Sequence, residues 1–199
     1  MIDILKKYWI LILVGFLLRL AVAGFTFHPD IITPALTSAV FFREGTLNFY
    51  ENSFKYAPGE VLDDLPLSYL IPLPIHLITR PFISDTTENL FFQDRSTIFG
   101  NPRLWGYLIY VKLPFILFDI TLGIILALSF TEYKKRLLIL WMFNPITLWA
   151  TSAIGQLDIY PAFFIVLAYL LLKRDHLNWA ALSLGAGGAI KSAPFLLLP

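Results

Sequence analysis

The residues best suited to chemistry in this chain are few, and most of them interrupt apolar sequence. Phe27-His28-Pro29-Asp30 ends the first long apolar run and sets an imidazole and a carboxylate where a membrane helix would meet water. Charge is costly to keep there unless something uses it. Gly155-Gln156-Leu157-Asp158 forms a short polar break between two later apolar runs, and Lys191 lies in a stretch rich in glycine and alanine. Arg19 falls well inside the first apolar run and Asp119 inside the second. Together these groups suit transfer onto a hydroxyl. A carboxylate can take the hydroxyl proton, an amide can hold sugar or phosphate oxygens, and an ammonium can offset charge on a leaving phosphate.

Each residue also has a plainer reading. Asp30 and Asp158 both suit helix N-caps, and Pro161 fits a first turn after Asp158. Lys191 is open to neutralisation by Asp119, and Arg19 either pairs with Asp119 or binds a phosphate. His28 is open to metal ligation, proton relay or a simple interfacial role, since one histidine beside one aspartate is thin evidence for a metal. Lys112 stands near the end of its apolar run, where it can snorkel to water. The chain shows no glycine-rich phosphate loop, no paired-histidine metal motif and no serine triad.

Elements that hold such groups must be membrane helices. Of 199 residues 57% are hydrophobic and only 15% charged, against about a quarter charged in soluble domains. The mean hydropathy is +0.70. A net charge of +1 argues against a nucleic-acid partner, and the absence of cysteine excludes disulfides and thiolate metal sites. The expectation is an all-α, multi-pass transmembrane protein forming one membrane domain over 1–199. Its spans are expected at about 8–27, 106–128, 137–154, 159–173 and 179–198, with a long external loop over 28–105 carrying interfacial helices. The first run lacks a small-residue cleavage site and reads as a retained signal anchor. The chain stops within an apolar run at Leu196-Leu197-Leu198-Pro199, so the expectation is the N-terminal part of a longer protein.

Segment 65–83 is apolar enough to suggest a sixth span, but Pro66, Pro72, Pro74 and Pro81 oppose a regular helix. Leaving it out places Lys6/Lys7, Lys134/Lys135/Arg136 and Lys173/Arg174 on one side, as the positive-inside rule requires. It reads as re-entrant or surface-lying. Residues 31–40 read as an interfacial amphipathic helix, and 84–105 as a loop. Asn144-Pro145 should kink the third span. With this count, Asp30 and Gly155–Asp158 emerge on one non-cytoplasmic side, and the last span carries Lys191 toward it. These groups should line one outward-facing cavity.

In the order and topology of these motifs the sequence resembles the polytopic glycosyltransferases of the GT-C superfamily, which use polyprenyl-phosphate sugars. The pattern runs from Arg19 through His28-Pro29-Asp30, Lys112-Leu113-Pro114 with Asp119, Phe143-Asn144-Pro145 and Gly155-Gln156-Leu157-Asp158 to Lys191 with Pro194. It looks most like the bacterial and archaeal mannosyltransferase-like branch and covers essentially the whole chain. The resemblance implies an inverting transfer of a hexose such as mannose from a polyprenyl-phosphate carrier to a lipid, glycan or protein acceptor. The reaction would take place at the outer face of the cytoplasmic membrane, with the N-terminus cytoplasmic. Asp30 would be the general base. Lys191 and Arg19 would face the lipid phosphate, Gln156 and Asp158 would orient sugar or acceptor, and His28 would hold Asp30. No cofactor is required by this scheme, although a divalent metal shared by His28 and Asp30 is compatible with it. The different-class alternative is a transporter or lipid flippase subunit, with Arg19, Asp119 and Lys191 forming a path.

Overall fold

Residues 2–93, 101–130 and 132–197 are described by a computed structural model. All regular structure among them is helical, with no strand. The first helix, α1 (Ile2–Phe25), is followed by a buried helix, α2 (Ile32–Glu44). Short helices α3 (Phe49–Asn52), α4 (Pro66–Leu70), α5 (Leu73–Thr79) and α6 (Asp85–Gln93) come next. The long α7 (Pro102–Ser129) leads to α8 (Lys134–Met142) and to α9 (Pro145–Thr147), which continues as a π-helical segment, Leu148–Ile154. Last come α10 (Ile159–Leu172) and α11 (Leu177–Gly188).

Two helices, α1 and α7, are long and apolar enough to cross a membrane, and the bent pair 134–142 and 145–154 makes a third if it is one span. That pair bends by 41° at the expected place. Asn144 turns its side chain onto the Ile146 amide at 2.9 Å, capping the helix that Pro145 begins. At 1.5 Å per residue α10 and α11 extend only about 21 and 18 Å, less than a bilayer core of about 30 Å. The last apolar run is not one helix. It breaks after Gly188 and resumes as a 3₁₀ turn, Ala193–Leu197, where Pro194 lacks an amide donor to continue an α-helix.

Two buried cations join the long helices. The Arg19 Nε donates to Asp119 Oδ2 at 2.5 Å, and its other nitrogens reach the carbonyls of Gly15, Met142 and Trp141. Asp119 also accepts from the Trp141 indole at 3.0 Å. Both members of the pair are 0% exposed. Toward the other end of α7, Lys112 reaches the last turn of α1. These cross-links run antiparallel along α1 and α7, so the bundle has a basic end at Lys7 and an opposite end at Asp30.

The segment between α1 and α7 departs from expectation in two places. First, α2 is no amphipathic surface helix, since Ile32, Pro34 and every residue from Ala35 to Val40 are buried. Its polar positions are satisfied inside: Ser38 Oγ lies 2.8 Å from Tyr110 Oη, and Thr37 donates to the Pro34 carbonyl. Second, the run from Asp85 to Gln93 is helical rather than loop. Ser84 accepts from the Thr87 amide, and buried Glu88 is gripped by Arg43 and Arg80. The expected loop ends at Asn101, which caps α7, and residues 94–100 lie outside the described residues. Over 65–83 the prolines divide the chain into α4, α5 and a 3₁₀ turn, Arg80–Phe82, with no span-length helix.

His76 on α5 is fully buried, stacked on Tyr110 with ring centroids 4.5 Å apart, and neither ring nitrogen has a well-formed hydrogen bond. Burial pulls its pKa from 6.5 down to about 4, opposed by the backbone of Val111 and Tyr110. Between those pH values the unfolded chain accepts a proton that the folded chain refuses. Folding stability therefore drops by about 3 kcal/mol as pH falls from 6.5 to 4. Thermal unfolding of the detergent-solubilised protein across that range should show this slope, and His76→Phe, which keeps the stack, should flatten it.

Candidate functional site

Asp30 lies in a short 3₁₀ turn, Pro29–Ile31, between α1 and α2. Its carboxylate does not cap α2, whose N-cap is Ile31 with no side-chain hydrogen bond. His28 performs the local capping instead, its Nδ1 accepting from the Asp30 amide at 3.3 Å. The same Nδ1 stands 3.1 Å from the Asp30 carboxylate, and both side chains are nearly half exposed. Asp158 likewise precedes α10 without capping it. It pairs with Lys191 at 2.5 Å instead. Both carboxylates are thus free of the helix amides that the plainer reading assigned to them.

What brings the two turns together is Gly155. It ends the π segment in the left-handed region at φ 78°, and a Cβ there would stand 2.6 Å from Ile31 Cγ2. Only glycine meets both demands, because the backbone is strained for other residues and the neighbour is core. Beneath this contact, the Lys112 ammonium is buried against the carbonyls of Ala23, Thr26 and Ala153 at 3.2, 2.6 and 2.8 Å, and against Thr26 Oγ1 at 3.0 Å. These oxygens belong to the C-terminal ends of α1 and the π segment. Helix C-termini favour a cation, so one side chain anchors both turns.

The resulting cleft has a volume of about 450 Å³ and holds Asp30, Gln156, Asp158 and Lys191 together. The connecting segment adds Thr33, Glu60, Asp63 and Asp64. The Asp63-Asp64 turn is held from two sides: Tyr50 donates to the Asp64 carbonyl at 2.8 Å, and the Asp64 amide donates to Tyr69 Oη at 2.9 Å. Partial burial, and then repulsion from Asp63, raises the Asp64 pKa above the ordinary carboxylate value, with Lys191 opposing. Carboxylates outnumber the one ammonium in this cleft. The arrangement suits binding polyhydroxylated groups and accepting protons from them.

Arg19 is not part of the cleft, since its pairing with Asp119 is complete and buried. Lys191 does not pair with Asp119. It follows α11 at the surface, with its side chain 56% exposed. His28 stands behind Asp30. Among the described residues, no group of three or more His, Asp or Glu side chains is placed to hold a metal ion. Sequence reasoning missed Glu60, Asp63 and Asp64, for which the adjacent acidic pair after Pro58-Gly59 was the available signal. It also underrated Lys112, which does not snorkel. In comparisons with known proteins, no family model, curated protein or solved structure matches the chain.

Two substitutions test this construction by thermal unfolding. Gly155→Ala should cost about 1–3 kcal/mol through left-handed strain and the Ile31 contact. Lys112→Met, similar in length, should cost about 3 kcal/mol by stranding carbonyls that a charged donor now satisfies.

Proposed function

We propose that this chain is a membrane glycosyltransferase of the GT-C type. It would transfer a hexose from a polyprenyl-phosphate carrier to an acceptor hydroxyl, with inversion, in the cleft at the Asp30 end of the bundle. The observation that carries the reading is the meeting of Asp30, Gln156, Asp158 and Lys191 in one open cleft beside apolar helices. Neither Asp30 nor Asp158 spends its carboxylate on a helix cap. In this scheme Asp30 takes the acceptor proton as that oxygen attacks the anomeric carbon. The bond to the phosphate oxygen breaks on the opposite face, and the lipid phosphate leaves with the electron pair. His28 keeps Asp30 oriented, while Gln156 and Asp158 hold hydroxyls.

Lys191 offsets the leaving charge. Its pair with Asp158 is more than half exposed, so exchanging one anionic partner for another strands no buried charge. The proposal also takes α10 and α11 as crossings, made possible by neighbouring helices and local thinning, to give five. Positive-inside bias puts Lys7, Lys135 and Lys173 in the cytoplasm and the cleft on the far side of the cytoplasmic membrane. A transport path through Arg19, Asp119 and Lys191 draws no support, because the first two close on each other and the third pairs with Asp158 at the surface.

The test is transfer from a polyprenyl-phosphate hexose by the full-length protein in detergent or vesicles. Asp30→Asn should lower turnover by a factor of about 10²–10⁴, the usual contribution of a general base, without loss of folded protein. Near-normal turnover would remove Asp30 from that role. Lys191→Ala should raise the KM for the donor more than that for the acceptor.

A further inference from the structure

The basic end of the bundle carries a second cavity, unrelated to the acidic cleft. It lies between α1 and α8, has a volume of about 650 Å³, and is lined at its charged end by Lys7 and Lys135. Tyr8 and Leu11 line it too, and the other apolar wall residues, Ile10, Val14, Ile139 and Phe143, are 59, 46, 38 and 40% exposed. Only 22% of the apolar window of α1 is buried, against 61% for α7. At Tyr8 the α1 backbone leaves helical geometry, with no proline or glycine there to cause it. The break falls beside Lys7.

We propose that this cavity binds an anionic phospholipid, with the headgroup phosphate between Lys7 and Lys135 and an acyl chain along Ile10, Val14, Ile139 and Phe143. Charge complementarity selects the occupant. The two ammonium groups come from different helices to one mouth, and among the described residues neither has an acidic ion-pair partner. The nearest ring is Tyr8, over which Lys7 Nζ stands at 5.6 Å. Lys135 also borders a shallower groove with Glu132 but forms no ion pair with it. A phosphate offers both lysines what the protein does not. A zwitterionic headgroup brings its own cation into the same mouth and gains less. Basic pockets between membrane helices bind anionic headgroups for this reason. The apolar wall requires a lipid rather than a free phosphate ion.

The test is native mass spectrometry of the full-length protein, released from micelles containing equal phosphatidylglycerol and phosphatidylcholine with matched acyl chains. Phosphatidylglycerol should be retained about tenfold over phosphatidylcholine. The double variant K7Q/K135Q should bring the ratio near one, while K173Q/R174Q, which removes two charges at the same end but outside the cavity, should leave it. Val14→Trp should fill the cavity and lower retention of both lipids. The proposal is overturned if K173Q/R174Q abolishes the preference as fully as K7Q/K135Q, which would mean a diffuse basic rim. It is equally overturned if Val14→Trp leaves phosphatidylglycerol retention intact, or if the wild-type protein retains no lipid because a second copy or another segment of the chain fills the cavity. All the substituted side chains are at least partly exposed, so size-exclusion profiles should match the wild type.

Discussion

One ammonium holds the acidic end of this protein together. Lys112 is fully buried with no carboxylate partner among the described residues, a placement that costs several kcal/mol unless other groups solvate the charge. Backbone carbonyls do so, and they come from the ends of two separate helices. Each end carries the partial negative charge of a helix C-terminus, so the cation and the two dipoles stabilise one another. The turns leaving those ends carry Asp30 and Asp158. A side chain that touches neither carboxylate thus ties their two turns together from below, where Gly155 lets them meet above.

Above that anchor the packing leaves little freedom. Gly155 lets the π segment end against Ile31, and Ile31 belongs to the apolar cluster that joins α2 to α7. A second cluster, built on Leu36, Val40, Phe49 and Tyr69, supports the connecting segment. Tyr69 in this cluster, and Tyr50 packed against it, hold the Asp63-Asp64 turn at the cleft. Partial burial, and then repulsion from the neighbouring Asp63, raises the Asp64 pKa there. Such an acidic turn persists because the tyrosines and the buried cluster beneath it supply the opposing free energy.

Much of this was legible in residue order. Apolar run length marks α1, α7 and the bent third element, and parity alone brings Asp30, Gln156, Asp158 and Lys191 to one end. These inferences need only local hydropathy and a count of crossings. Where the reading failed, the deciding partner lay far away in sequence. Asp119 is claimed by Arg19, one hundred residues earlier, which left Lys191 to Asp158. The partners of Lys112 are carbonyls, which have no sequence signature. Thr37 and Ser38 read as a polar face on α2, but Tyr110 and a local carbonyl satisfy them inside. Run length also overstated α11, which ends at Gly188 although the apolar composition continues.

The Arg19–Asp119 pair also bears on how the protein is made. On its own, α1 offers the Arg19 guanidinium the Gly15 carbonyl but no carboxylate, and arginine at the centre of a lone membrane helix costs about 2.5–3.5 kcal/mol on insertion scales. Entry of α1 into a bilayer would therefore be favoured by the presence of α7, whose Asp119 supplies the counter-charge.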